Sequence, residues 1–473
     1  MRKKFSLLAV ALTIAATSAI VPAAAKHSYN GAITPEMLAR FKAKQEATPS
    51  QKAIFNALAG TSLDHLAKNA RAAYGWTNDI SHKVPSSGVT DQKSSGRCWL
   101  FTGLNVLRAQ MMAKNDLPEL QLSQNYNFFY DQLEKANLFL QGMIDYAGRP
   151  DDDRMVDWLF ANPLSDGGQY TGLSDNISKY GVVPAEVMFE TVSSNNTGSI
   201  RKLVSTLLRK DGLELRKMYA DKASASQLAA RKEEMLGEIY RMLALTLGEP
   251  PTEFTWTRKN AKGDTVSTKT YTPQEFYSEL AGNDLKNDYV MLMNDPTREY
   301  HKLYEIDYDR HTYDGQNWTY INLPVEEIKK MAIESIKDST MMYFSCDVGK
   351  CYDSGRGVLD PDIYDYESLM GVNFDMTKKE RIRTHASASS HAMALMGVDL
   401  DENGKPRKWM VENSWGSGPN NGHLIMTDRW FDDYMFRLVV NRKYVPAETL
   451  RILDTEPVTL PAWDPLFAPE QSL

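Results

Sequence analysis

Four residues in this chain could carry out acyl transfer between them: Gln92, Cys98, His391 and Asn413. Cys98 is a thiol, and its thiolate attacks carbonyl carbon once a base has taken the proton. His391, in Ser390-His391-Ala392-Met393, is a base that titrates near neutral pH. Asn413, in Glu412-Asn413-Ser414-Trp415-Gly416, offers a side-chain oxygen that would fix the imidazole's orientation and tautomer. Gln92 lies in Asp91-Gln92-Lys93-Ser94-Ser95-Gly96-Arg97-Cys98-Trp99, six residues before the thiol. Its side-chain NH2 and the Cys98 backbone N–H would face the oxygen that becomes negative in a tetrahedral intermediate. Each residue alone is equally at home in a core or a turn; the four together, in this order, point to a cysteine acyl-transfer enzyme.

The elements around them must deliver that geometry. Gly96 precedes Cys98, and an apolar run from Trp99 to Leu107 follows it. This reads as a loop entering a buried helix over about 98–114, with the sulfur at the helix's positive end. Met341 to Val348, His391 to Val398, Lys408 to Asn413 and Gly422 to Asp428 read as strands of a mostly antiparallel sheet. The run 401–405 contains Asn403-Gly404 and reads as a hairpin turn. Base and orienter thus lie on adjacent strands, facing the Cys98 helix across a cleft. Trp415 is expected to cover the Asn413–His391 hydrogen bond and shield it from water.

At these residues the chain resembles the papain-like cysteine peptidases and, within them, the bleomycin hydrolase/aminopeptidase C family. Ser95-Gly96-Arg97-Cys98-Trp99 departs at two positions from the signature Cys-Gly-Ser/Ala-Cys-Trp/Tyr of papain itself. Further stretches similar to that family are His82-Lys83-Val84-Pro85, Leu122-Ser123-Gln124-Asn125-Tyr126, Ser165-Asp166-Gly167-Gly168-Gln169, Asp347-Val348-Gly349-Lys350 and Leu460-Pro461-Ala462-Trp463-Asp464-Pro465. His391 follows Cys98 by 293 residues, against roughly 130–150 in papain relatives, which implies a large insertion. The resemblance implies an α+β fold, a helical half and an antiparallel β-sheet or barrel half. It also implies removal of N-terminal residues from peptides with free N-termini, with no cofactor. Gly167 and Gly168 would line the substrate cleft. The Pro-rich, apolar tail from Glu456 would lie in the cleft, its Leu473 carboxylate set to pair with a substrate's α-amino group. A ring-like homohexamer is implied in the same way. The rival expectations are a broader endopeptidase, with the tail leaving the cleft open, and a non-catalytic scaffold that binds peptide or nucleic acid.

Arg2, Lys3 and Lys4 precede an apolar run from Phe5 to Val21 and then Ala23-Ala24-Ala25. This describes a secretory signal cleaved after Ala25, and so a periplasmic or secreted protein. The run is shorter than the ~20 residues that span a bilayer, and no stable membrane insertion is expected. The resembled family is commonly cytosolic, so export is a departure from it. Loss of the three basic residues takes the net charge from −7 to −10, which argues against nucleic acid as a partner. Of the three cysteines, Cys346 and Cys351 could form a disulfide across a turn at Gly349, or stay as packed thiols. Neither has metal-ligand company, so no metal site is expected.

The expected organisation is a signal (1–25), a helical arm (26–75), a helical half with the nucleophile (76–192), a helical insertion (193–296), a β half (297–455) and the C-terminal arm (456–473). In the first arm, Thr34-Pro35-Glu36 starts a helix, with one helix ending near Ala59 and another over 63–70. Helices are expected over 122–138, from Ser123 as cap, and over 172–179. The run Ser193 to Gly198 reads as a linker. Two amphipathic helices over 200–247 split near Lys222 to Ser226. Leu303 to Tyr308 and Trp318 to Leu323 read as paired strands, and 324–337 as a helix.

Overall fold

The helix that begins at Cys98 is largely apolar around its first turns and is buried there. It spans Cys98–Asn115, and Trp99, Leu100, Phe101, Leu104 and Met111 are almost wholly shielded from solvent. The structure is a computed structural model and describes residues 31–45, 48–85, 88–464 and 466. The described residues fall into two compact units, one up to residue 66 and one from residue 67 on. The expected signal over 1–25 lies outside the described residues.

In the first unit, Thr34 caps the helix Pro35–Lys44, its side chain accepting from the Met37 amide. A second start follows at once. Thr48 and Gln51 form a reciprocal capping box, with Pro49 in the first turn of Pro49–Gly60. The single helix expected to end near Ala59 is therefore two, because the Thr48-Pro49 start interrupts it. The helix expected over 63–70 is shorter, Leu63–Ala67, because Asn69 caps a separate helix, Ala70–Tyr74, that the sequence reading lacked.

The second unit joins a helical half to a sheet half. In the helical half, Gln124–Asp145 is capped by the Ser123 hydroxyl and packs against Gly198–Ala220 and Ala225–Leu247. Gly212 sits so close to Phe139 and Met143 that a Cβ there would lie 2.9 Å from the Met143 side chain. Ser224 caps the second long helix within the expected break. The run Ser193 to Gly198 is not a linker: Val192–Asn195 is a helical turn with its own Thr191/Ser194 capping box, and Gly198 opens the next helix.

In the sheet half, His391–Leu400 pairs antiparallel with Met342–Cys346 on one side and Pro406–Glu412 on the other. Pro406–Glu412 continues to His423–Thr427. Lys302–Ile306 pairs with Thr319–Asn322, and Val325–Lys337 follows as a helix. Two central strands carry no sequence-based expectation: Met435–Asn441 pairs with both Met342–Cys346 and Tyr289–Met293. Tyr289–Met293, within the stretch expected to be helical, therefore belongs to the main sheet. That stretch also holds a separate hairpin of Phe254–Lys259 and Thr265–Tyr271. The tail, expected to lack strand structure, adds Val458–Leu460 in parallel to Lys302–Ile306. The halves are clamped by Arg108 of the Cys98 helix, which donates to Gly88 O at 2.7 Å and meets Glu412 at 3.5 Å, both side chains buried.

Candidate active site

His391 is the first residue of its strand, and Asn413 follows the last residue of the neighbouring one. Strand pairing therefore fixes both side chains with no loop between them. His391 Nε2 lies 2.7 Å from Asn413 Oδ1. The Ser414 amide donates to the same oxygen at 2.8 Å, which identifies that atom as the amide's acceptor. His391 Nε2 must then carry the hydrogen, leaving Nδ1 as the basic atom. Burial pulls the His391 pKa down to about 4, and the Asn413 hydrogen bond opposes this. The imidazole is thus neutral at pH 7 unless an anion stands beside it. Trp415 stacks on the ring, centroids 4.6 Å apart, with 42 % of its own surface exposed. It covers one face of the base while bordering the open cleft.

Cys98, Gln92, His391 and Trp415 line one cleft, together with Gly96, Gly167 and residues 196–198. The Gln92 side chain is held at both ends: Ser414 Oγ donates to its Oε1 at 2.6 Å, and its Nε2 donates to Ser95 O at 2.7 Å. An amide NH2 carries two hydrogens, so one is left for the cleft. The Gln92 backbone N–H also donates to Ser414 O at 2.8 Å, so the segment after Asn413 holds Gln92 by main chain and side chain alike. Cys98 is the first residue of its helix, and Arg97, the N-cap, contributes no side-chain cap. The amides and positive dipole end at that terminus therefore face the sulfur, which favours the thiolate.

The loop before Cys98 rests on buried charge. Arg97 is fully buried, 2.9 Å from Glu190, with its guanidinium over the rings of Phe101 and Phe128 at 5.1 and 5.3 Å. Burial lowers its pKa and Glu190 raises it. The Arg97 that separates this chain from papain's signature is thus an anchor under the nucleophile.

Of the two glycines expected to line the substrate cleft, Gly167 borders the cleft that holds Cys98. Its N–H donates to Ser165 Oγ at 3.0 Å and its carbonyl accepts from Lys135 Nζ at 2.6 Å, so its polar groups also serve the interior. Gly168 borders the adjoining cavity, and a Cβ there would lie 2.3 Å from His311 and 2.7 Å from Trp99. Close packing is what requires glycine at this position.

The tail is docked as far as it is described. Asp464 is buried against Arg298, and Leu466 O accepts from Arg437 Nη2 at 2.7 Å. Leu466 borders the cavity of about 130 Å³ that shares Gly167 with the Cys98 cleft. Leu473 lies outside the described residues. Cys346 and Cys351 are not joined as a disulfide; both are thiols, and Cys351 Sγ lies 3.8 Å from the Tyr434 hydroxyl. Among the described residues no group of three or more His, Cys, Asp or Glu side chains is arranged to hold a metal. Nor is any helix there long and apolar enough to cross a membrane.

Sequence reasoning left the insertion out of the site, yet Asn196, Thr197, Gly198 and Arg201 all line the cleft. The signal was present in Asp166, a carboxylate directly before the paired glycines. Its Oδ2 accepts from Thr197 Oγ1 at 2.5 Å, and its Oδ1 meets Arg201 at 3.3 Å.

The model of the Peptidase C1-like family matches residues 32–467. Aminopeptidase C of Listeria monocytogenes serovar 1/2a is 36 % identical over 437 residues, covering 92 % of this chain and 98 % of that protein. Bleomycin hydrolase of Homo sapiens is 39 % identical over 401 residues, covering 82 % of this chain and 88 % of that one. Among solved structures, PepW from Lactobacillus rhamnosis HN001 superposes with a TM-score of 0.89 at 38 % identity, covering 93 % of this chain and 99 % of that one.

Proposed function

The chain belongs to the Peptidase C1-like family, and we propose that it works as an exported cysteine aminopeptidase. The carrying observation is the Asn413-oriented His391 in one cleft with Cys98 and the doubly anchored Gln92. His391 Nδ1 takes the Cys98 proton, and the ion pair so formed offsets the burial that otherwise keeps the ring neutral. The sulfur attacks the carbonyl carbon of the substrate's first residue. The oxyanion is met by Gln92 Nε2 and the Cys98 N–H. His391 returns the proton to the leaving amine, and the C–N bond breaks to leave a thioester on Cys98. Water then gives a proton to His391 and its oxygen to the acyl carbon, releasing the free amino acid and the thiol.

The tail limits this to one residue at a time. Leu466 already borders the cavity beside the cleft, and seven residues follow it. Extended, they reach about 23 Å, enough to set an anionic group of the tail against a substrate's α-ammonium group and to block longer acyl-side segments. Curated relatives carry the names aminopeptidase C and aminopeptidase G, which agrees with this reading. Export rests on the basic, apolar and Ala-x-Ala order of residues 2–25.

The test uses residues 26–473 and a variant ending at Pro469, each with a fluorogenic amide bearing a free amine and with its N-acetylated form. Cleavage of the free amine alone by the longer protein, with the acetylated amide admitted on truncation, is the expected result. Equal cleavage of both by the longer protein sinks the aminopeptidase reading in favour of an endopeptidase. No cleavage of either, with Cys98 confirmed as a thiol, sinks the enzyme reading. Mass analysis of protein from the periplasm, beginning at Lys26, checks export.

A further inference from the structure

Asp166 grips the chain on both sides of the nucleophile. Its carboxylate accepts from the Gly96 amide at 2.8 Å, two residues before Cys98. Its backbone carbonyl accepts from Trp99 Nε1 at 3.0 Å, one residue after Cys98. A Cβ on Gly96 would lie 2.7 Å from the carboxylate, so only glycine lets the amide come this close. The loop needs such a hold: Lys93 adopts φ 55°, and the backbone bonds of Ser94 go to Asn195 and Thr197 of the insertion, not to a strand.

The other partners of the carboxylate come from that same insertion. Thr197 is the N-cap of the 23-residue helix Gly198–Ala220, yet it makes no capping bond. Its hydroxyl instead donates to Asp166, and Arg201 in the first turn completes the contact. A residue type chosen for capping has been turned to another use.

We propose that Asp166 is a positioning residue for the nucleophile, transmitting the placement of the insertion helix to the Cys98 amide and the oxyanion pocket. Asp166 lines the cleft beside Cys98, and the role proposed for it runs through the backbone on either side of the thiol. Its effect comes through the angle at which the Gly96–Cys98 segment presents the Cys98 N–H, and misplacement of about 1 Å costs about a hundredfold in rate. The proposal deepens the acyl-transfer reading above, and its test does not depend on peptide specificity.

The full mature chain is compared with Asp166→Asn, Asp166→Ala and Thr197→Val in three measurements. Acylation by p-nitrophenyl acetate, per titrated thiol, reads sulfur and oxyanion pocket together. Alkylation by iodoacetamide has no oxyanion and reads the thiolate alone. A thermal melt reads the fold. Acylation is expected to fall about a hundredfold in Asp166→Ala, about tenfold in Asp166→Asn, which keeps an acceptor for Gly96, and about threefold in Thr197→Val. Alkylation is expected to stay within about twofold. Wild-type acylation in Asp166→Asn and Thr197→Val, whatever the melt shows, overturns the proposal. So does an equal fall in alkylation, which would place Asp166's effect on the thiol's ionisation. Should Asp166→Ala fail to fold, the other two variants decide. A protein that acylates normally but spares free-amine amides would count against the aminopeptidase reading and leave this one standing.

Discussion

The two sides of the cleft are held by different physics. On the base side, His391 and Asn413 sit at the ends of neighbouring strands, so a ladder of backbone bonds sets their separation. On the nucleophile side, the approach to Cys98 has little regular structure and hangs on side chains: Gln92 on Ser414, Arg97 on Glu190, Gly96 on Asp166. A backbone ladder tolerates side-chain change, whereas a loop held by polar side chains does not. Substitutions off the reacting atoms should therefore register on the nucleophile side and pass almost unnoticed within the strands.

The sharpest cut removes the base itself. His391→Ala should lower kcat/KM by roughly 10³- to 10⁴-fold, with the far-ultraviolet spectrum and the melt little changed, because the strand survives. A collapse of the melt instead would show that the ring also props the sheet.

Gln92→Ala comes next. It removes one oxyanion donor and orphans the Ser414 hydroxyl, and kcat should fall roughly 10²-fold with KM near its original value. A fall confined to KM would mean that Gln92 binds substrate and does not stabilise the oxyanion.

Glu190→Ala tests the loop's foundation. It leaves the Arg97 charge buried without its acid, and the loss of stability should be about 3 kcal/mol in denaturant titration. Activity per titrated thiol should drop only a few-fold. An unchanged denaturation midpoint would show that the two ring faces around Arg97 suffice.

The smallest effect is on a titration. In Cys98→Ala the anion beside His391 is gone, so the ring should titrate at about 4, followed by its NMR shifts. The folded pKa then lies below the ordinary histidine value. The stability linked to this group is therefore complete above about pH 6.5 and is lost as pH falls toward 4. A His391 titrating near 6.5 in that variant would contradict its burial.

How far the chain could be read without its structure follows the same division. The four candidate residues stand out because their types are chemically specific, and the structure gathers Gln92, Cys98 and His391 in one cleft with Asn413 bonded to His391; the long helices stand out because caps such as Ser123 and Ser224 mark their starts locally. Thr48-Pro49-Ser50-Gln51 is an equally clear start, but it lies inside a stretch whose helical residues run on either side of it. Tyr289–Met293 and Met435–Asn441 were hidden for a different reason. They pair with each other across more than a hundred residues and are largely apolar, so neither shows the alternation of a half-exposed strand. The Ser193–Gly198 run has a linker's composition, but its hydroxyls and amides close a capping box and join the site. Composition reports what residues prefer in isolation; here long-range partners decided. For the same reason the share of residues 196–201 in the cleft was invisible, since Asp166 and Thr197 meet only after folding.

The most direct test of the account is the pH dependence of Cys98 alkylation by iodoacetamide, in the wild-type protein and in His391→Ala, with the adduct mapped to Cys98. A Cys98–His391 pair gives a wild-type profile that stays fast well below the ordinary thiol pKa of about 8.5, and a variant profile that returns to it. A wild-type profile centred at the ordinary value, unmoved by His391→Ala, would contradict the pairing of this thiol with this base.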